Sequence, residues 1–221
     1  MMREIKHIIF DFDGTLADTW PVMFMACAGV FERHDNRKIT IEDIYKVAGP
    51  TELQIIEMHL SNRDKVDVAV SEFLADYEQH HEELVEGNVE IAELLQDLRQ
   101  AGLGIALFTG KSRRTLDISL AKLGWEITFD QIVTGDDVAK RKPSAEGIEQ
   151  ILSGLGWSRE HTVFVGDSND DMLAGQEAGM RTFAAQWMSI VQDKHYRIEP
   201  EQIFERVDAF KTFVLEQVAV R

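Results

Sequence analysis

The chain has 221 residues, 44% of them hydrophobic, enough for one full core with a modest second unit but not for two large domains. Its formal net charge of -16, with a sequence pI of about 4.8, argues against nucleic acid as a partner, so an anionic substrate must meet locally placed cations. No apolar run approaches the roughly 18 to 20 residues of a membrane span, and the charged start Met1-Met2-Arg3-Glu4-Ile5-Lys6 lacks a signal peptide's apolar segment, so the expectation is a cytoplasmic protein with no membrane attachment.

The first predicted element is a buried strand over Ile5 to Phe10, a short β-branched run that ends at Asp11. Helical patterns follow at Pro21 to Phe31, Ile41 to Val47 and Glu52 to Leu60, then along a longer helix with Val66, Val70, Phe73, Leu74, Tyr77 and Leu84 on one face. The lone Cys27, among Met23, Ala26 and Val30, reads as a core filler. His80 and His81 read as lying on the polar side of the long helix.

From Val89 onward helices and strands alternate. Helix Val89 to Gln100 precedes strand Gly104 to Phe108, helix Ser112 to Leu123 precedes strand Phe129 to Val133, and helix Ser144 to Leu155 precedes strand Thr162 to Val165. A last helix, Asn169 to Ala178, leads to a weaker strand at Arg181 to Ala184. Gly102, Gly124 and Gly179 stand where helix C-termini commonly use a glycine.

This order predicts an α/β fold, a doubly wound parallel sheet covered on both faces. About 100 residues separate Asp11 from Thr109, whereas a βαβ unit takes about 30, so a helical cap is inserted. The expected division is a core over residues 1–18 and 87–221 and a cap over residues 19–86.

Open parallel sheets bind ligands beyond the carboxyl ends of their strands. The residues expected there are Asp11-Phe12-Asp13-Gly14-Thr15, Thr109-Gly110, Lys140-Arg141-Lys142-Pro143 and Gly166-Asp167-Ser168-Asn169-Asp170-Asp171. Carboxylates, a hydroxyl and a cation are what phosphoryl transfer to a carboxylate nucleophile requires. Several of these residues also have a plainer reading. Thr109 and Asp167 suit helix caps, Asp170 suits a solvated or capping residue, and Lys140 with Arg141 suits a surface basic cluster. A calcium loop of the EF-hand type fails on spacing, because Leu16 and Met172 stand where its glycine belongs.

In this order the motifs resemble the haloacid dehalogenase superfamily, in the helical-cap subgroup that includes phosphoglycolate phosphatase and β-phosphoglucomutase. The resemblance implies Asp11 as nucleophile, Asp13 as general acid and base, and Thr109 with the Gly110 amide as binders of the phosphoryl oxygens. It implies Lys142, marked by Pro143, as the neutralising cation, although Ala145 replaces a second proline common in the family. It further implies Mg²⁺ held by Asp11, the backbone carbonyl of Asp13 and Asp167, with Asp171, the motif's second acid, counted in the same metal site.

The Gly49-Pro50-Thr51 turn interrupts two cap helices, and Thr51 with Gln54 forms a capping-box pattern. In the family this loop reads the leaving group, which makes Lys46, Thr51 and Glu52 candidate substrate residues. Glu52 stands where some relatives place a basic residue, which points away from phosphoglycolate. The expected activity is Mg²⁺-dependent hydrolysis of a small phosphorylated metabolite, a soluble phosphate monoester, by a monomer or homodimer. A phosphomutase is the rival within the family, and a receiver-type signalling module the rival outside it.

Overall fold

Among the described residues six short runs form strands: β1 (His7–Phe10), β2 (Gly104–Phe108), β3 (Ile132–Val133), β4 (Thr162–Gly166), β5 (Arg181–Ala185) and β6 (Gln202–Phe204). They pair in parallel in the order β3-β2-β1-β4-β5-β6 in the computed structural model, which describes residues 4–47 and 49–218. Part of the charged start, Met1 to Arg3, lies outside the described residues. Alternate side chains enter different cores. Ile8, Phe10, Ile105, Leu107, Val163 and Val165 belong to one apolar cluster, whereas Ile9, Ala106, Phe108 and Phe164 belong to the other. Burial on both faces explains why these strands read as continuous apolar runs.

Between β1 and β2 the chain forms α1 (Trp20–Asp35), α2 (Ile41–Lys46), α3 (Glu52–His59), α4 (Val66–Leu84) and α5 (Val89–Gln100). Helices α6 (Arg113–Leu123), α7 (Glu146–Leu155), α8 (Asn169–Glu177) and α9 (Val207–Glu216) follow β2, β3, β4 and β6. Leu94 and Leu95 of α5, Leu116 of α6 and Phe210 of α9 join the first cluster; Ile148 and Ile151 of α7 and Ala174 of α8 join the second. The sheet is thus wound on both sides. Among the described residues, no helix is long and apolar enough to cross a membrane.

Local chemistry sets the helix ends. The Asn88 side chain accepts from Glu90 N at 3.0 Å and Ile91 N at 3.3 Å, so α5 begins where the apolar spacing Ile91, Leu94, Leu95, Leu98 begins. Ser112 caps α6 by accepting from Thr115 N at 3.3 Å, which places Thr109 outside the cap position. Ser168, not Asp167, caps α8.

Helices α1 and α4 pack together, and α4 packs on α6 of the sheet's own crossover. Val22 and Phe31 of α1 and Phe73 and Tyr77 of α4 share one apolar cluster with Ile8 and Phe10 of the sheet. His81 departs from expectation. It is 1% exposed, with Nε2 2.9 Å from Ser119 Oγ, because the face of α4 that meets α6 includes this position. Cys27 is buried within the same cluster, as its neighbours imply.

Two strands differ from the sequence reading. Only Ile132 and Val133 of the expected Phe129 to Val133 run pair with β2, because Asp130 uses its side chain as a ladder partner. Asp130 N donates to Ile105 O at 2.8 Å while Asp130 Oδ2 accepts from Ile105 N at 2.7 Å. The edge strand β6 is too short to carry a pattern, with Gln202 and Ile203 exposed and only Phe204 buried.

Candidate active site

The strand order changes direction at β1, whose neighbours β2 and β4 lead away on opposite sides, and the crevice beyond such a switch point is where open sheets place their sites. Asp11 follows β1 directly, with its amide donating to Val165 O of β4 at 2.8 Å, and Asp167 follows β4. The chain then turns tightly at Gly14, where φ is +80° and an added Cβ would lie 2.3 Å from Asp167 Oδ2. Only glycine allows that approach at that backbone angle. The turn is also tied to the Asp167 carboxylate by Thr15 Oγ1, which donates to Oδ1 at 3.3 Å.

Lys142 lies at the centre. Its ammonium donates to Asp11 Oδ1 at 2.5 Å and to Asp171 Oδ1 at 2.7 Å, with the Phe108 and Phe164 rings 5.1 and 5.5 Å away. Burial pushes the Asp11 carboxyl up to about 7, the pull of Lys142 opposes it, and repulsion from Asp171 and Asp13 adds to it. Burial, then Asp11 and Asp171, raise the Asp167 carboxyl well above its ordinary value, although Gln192 N donates to its Oδ2 at 2.6 Å. For Lys142, burial acts to lower the ammonium's pKa, but Asp11 and Asp171 outweigh it and hold the group charged.

Asp11, Asp167 and Asp171 each offer a carboxylate oxygen, and these oxygens lie within 4.8 Å of one another. With all three ionised, three buried carboxylates against one buried ammonium leave two charges uncompensated, the amount that one divalent cation carries. An all-oxygen donor set suits Mg²⁺. The residues present therefore fit the ion. Asp171 stands slightly apart within the set, since its Oδ2 already accepts from Ser168 N at 3.0 Å and Ser168 Oγ at 2.6 Å. The Asp13 side chain lies outside the set and accepts from Thr19 Oγ1 and from Lys111 Nζ, the latter at 3.1 Å.

Thr109 is buried after β2, with its amide bonded to Val133 O and its hydroxyl accepting from Lys111 N at 3.2 Å. Asp11, Asp13, Thr109, Gly110 and Lys142 all line one cavity of about 140 Å³. The expected substrate residues fare differently. Lys46 is a correction: it is exposed, its ammonium is held by Asp43 at 3.0 Å one turn back on α2, and it does not line the cavity although Ile44 and Gly49 on either side of it do. Thr51 caps α3 with Gln54 in the expected capping box and lies outside the lining. Glu52 reaches the lining but turns its carboxylate inward to Ser112 N at 3.0 Å, to Thr115 Oγ1 and to Lys111 Nζ at 3.7 Å.

Asp170 is a further correction. Instead of being a capping or fully solvated group it lines the cavity half-buried, and burial raises its carboxyl. Two lining cations escaped the sequence reading. Lys111 follows Thr109-Gly110 and is 4% exposed, and Arg141, read as surface charge beside Lys140, meets Gln54 of α3. The signal for both was proximity to a motif residue.

Similarity to known proteins agrees with this construction. Pyrophosphatase PpaX of Bacillus mycoides is 32% identical over 189 residues, covering 83% of this chain and 85% of that protein. Pyrophosphatase PpaX of Bacillus velezensis is 29% identical over 205 residues, covering 93% and 94%. The crystal structure of CbbY from Rhodobacter sphaeroides in complex with phosphate superimposes with a TM-score of 0.78 at 20% identity, covering 92% of this chain and 95% of that one, and shares the fold. Residues 8–185, which run from β1 to the end of β5 and so include every acid and cation placed above, match the haloacid dehalogenase-like hydrolase family, and the chain belongs to it.

Proposed function

We propose that the chain is a Mg²⁺-dependent phosphatase that hydrolyses a small phosphate monoester through an aspartyl phosphate on Asp11. The observation that carries this reading is the contact of Lys142 Nζ with Asp11 Oδ1 at 2.5 Å inside a cavity that Asp13 also lines. A buried carboxylate held by a buried ammonium is a nucleophile whose orientation is set before substrate arrives.

In the first half-reaction an Asp11 carboxylate oxygen bonds to phosphorus, the ester P–O bond breaks, and Asp13 gives its proton to the departing alkoxide. In the second, Asp13 takes a proton from the attacking water, the acyl phosphate P–O bond breaks, and inorganic phosphate leaves with Asp11 restored. Lys142 offsets negative charge on the phosphoryl group, and Thr109 and Gly110 line the cavity as the expected binders of its oxygens. Asp11, Asp167 and the Asp13 backbone carbonyl would hold Mg²⁺, which supplies charge neutralisation at the phosphoryl oxygens when bound.

The helices of residues 19–86 serve in this reading as a cap. Ile44, Gly49 and Ile55 from that stretch line the cavity, which favours a small substrate, and the net charge of -16 disfavours a polyanion. A second reading, hydrolysis of inorganic pyrophosphate, is favoured by the PpaX relatives, which are named pyrophosphatases. Phosphate release measured with Mg²⁺ across sugar phosphates, phosphoglycolate and pyrophosphate tests both. Asp11→Asn should bring turnover to background, and turnover kept within about tenfold would remove Asp11 from the nucleophile's place.

A further inference from the structure

Among the described residues three cations line the cavity, and two are neutralised where they stand. Lys142 is shared by Asp11 and Asp171, and Lys111 by Asp13 and Glu52. Arg141 is the third. In a chain with 39 acidic residues, carboxylate partners are plentiful, yet among the described residues Arg141 forms no ion pair. Its Nη2 donates to Gln54 Oε1, and its Nε is buried with no hydrogen-bond partner.

A buried N–H without an acceptor is unfavourable, and here the missing member is the acceptor. Gln54 is itself fixed, because its Oε1 also accepts from Thr51 N at 3.4 Å in the capping box of α3. The guanidinium is thereby pinned at the border of α3 and the cavity, next in the chain to the lysine that meets Asp11. A planar fork of N–H donors matches the paired oxygens of a phosphoryl or carboxylate group.

We propose that Arg141 holds a second anionic group of the substrate, so that the chain selects phosphate compounds that carry a phosphoryl or carboxylate group besides the one transferred. This rests on the phosphatase reading of the same site. Asp170, a lining carboxylate that forms no ion pair among the described residues, disfavours a second anion near the end of β4. The α3 side, where Gln54 holds Arg141, is left for it. Glu52 does not compete for Arg141, since its carboxylate is engaged by Ser112, Thr115 and Lys111.

The test uses the full chain with Mg²⁺ and compares kcat/KM for pyrophosphate and phosphoglycolate with kcat/KM for p-nitrophenyl phosphate, which has no second anion. In Arg141→Gln the ratio for the better doubly anionic substrate should fall by about tenfold to a hundredfold, the usual range for a lost charged hydrogen bond. Whichever of the two ratios falls identifies the group as phosphoryl or carboxylate. Arg141→Lys, which keeps the charge and loses the fork, should restore part of it and carries the test if Arg141→Gln does not fold. Binding of pyrophosphate to Asp11→Asn, measured by calorimetry, should weaken about tenfold on adding Arg141→Gln, with inorganic phosphate changing less. An arginine that only latched α3 to the core would lower all three substrates together. Unchanged ratios would therefore overturn the proposal. No turnover of any of the three by the unmodified chain would overturn the phosphatase reading, and this inference with it.

Discussion

Lys111 Nζ lies 3.1 Å from Asp13 Oδ1 and 3.7 Å from Glu52 Oε1, so one buried ammonium joins the loop after β1 to the first turn of α3. Burial acts to lower its pKa, but Asp13, Tyr77 and Glu52 outweigh that and hold it above the ordinary lysine value. The Tyr77 ring, 4.8 Å from Nζ, covers the group from α4.

Removing one partner of such a cluster leaves the others buried without compensation. Lys111→Met should cost about 3 kcal/mol, the low end for a broken buried pair because Asp13 is partly exposed. For a chain of this size that is a melting-temperature drop of about 6 to 12 °C. Adding Glu52→Gln should recover part of it, and a scan in which the double variant melts no higher than Lys111→Met would contradict the shared-charge account.

The carboxylate cluster makes a separate claim. Asp11, Asp167 and Asp171 repel one another, and burial with that repulsion raises both Asp11 and Asp167. In chelator, Asp167→Asn should therefore melt at or above the temperature of the unmodified chain, since it removes one of the repelling charges. Mg²⁺ should raise the melting temperature of the unmodified chain and have little effect on the variant. A metal-free variant clearly less stable than the parent would mean that Asp167 contributes more through its bonds to Thr15 and Gln192 than it costs in repulsion.

His81 gives a pH dependence of known sign. Burial, then the charge of Lys111, lowers its pKa from 6.5 to about 4. The unfolded chain thus binds a proton at His81 that the folded chain refuses, so its contribution to stability is intact above about 6.5 and is lost as pH falls towards 4. His81→Gln, which cannot titrate, should lose less stability than the parent between pH 7 and 4.5. Asp11 acts with the opposite sign but is common to both proteins, so the difference isolates His81. Parallel melting curves across that interval would remove His81 from the account.

How far the sequence could be read follows from the range of the forces involved. Helix α5 was legible because the Ile91, Leu94, Leu95, Leu98 spacing acts within one helix. The convergence of Asp11, Thr109, Lys142 and Asp167 was legible because a parallel sheet gathers strand ends. The α9 pattern of Val207, Phe210 and Val214 was present but followed an edge strand too short to announce it. Lys46 and His81 were misplaced, and Lys111 went unread, for another reason. Whether a polar side chain on a helix or loop is buried depends on which face a distant element covers, and no local spacing encodes the contact of α4 with α6 or of Lys111 with Glu52.

The last expectation separates acid catalysis at Asp13 from a merely structural role. Asp13 is the carboxylate at the cavity that pairs with Lys111 and Thr19 rather than with Lys142, so its removal leaves the Asp11–Lys142 contact in place. An alkoxide leaves poorly without a proton, whereas p-nitrophenolate is stable without one, so Asp13→Asn should reduce kcat on alkyl phosphates by about 10² to 10⁴ and on p-nitrophenyl phosphate by much less in the first step. The second step uses Asp13 as base for every substrate, so steady-state turnover should then become limited by breakdown of the aspartyl phosphate. A burst of p-nitrophenol equal to the enzyme concentration, followed by slow turnover, is the expected signature. Equal losses on both substrates with no burst would instead mean that Asp13 acts only by anchoring Lys111 and Thr19, since disruption of that packing would not distinguish one leaving group from another.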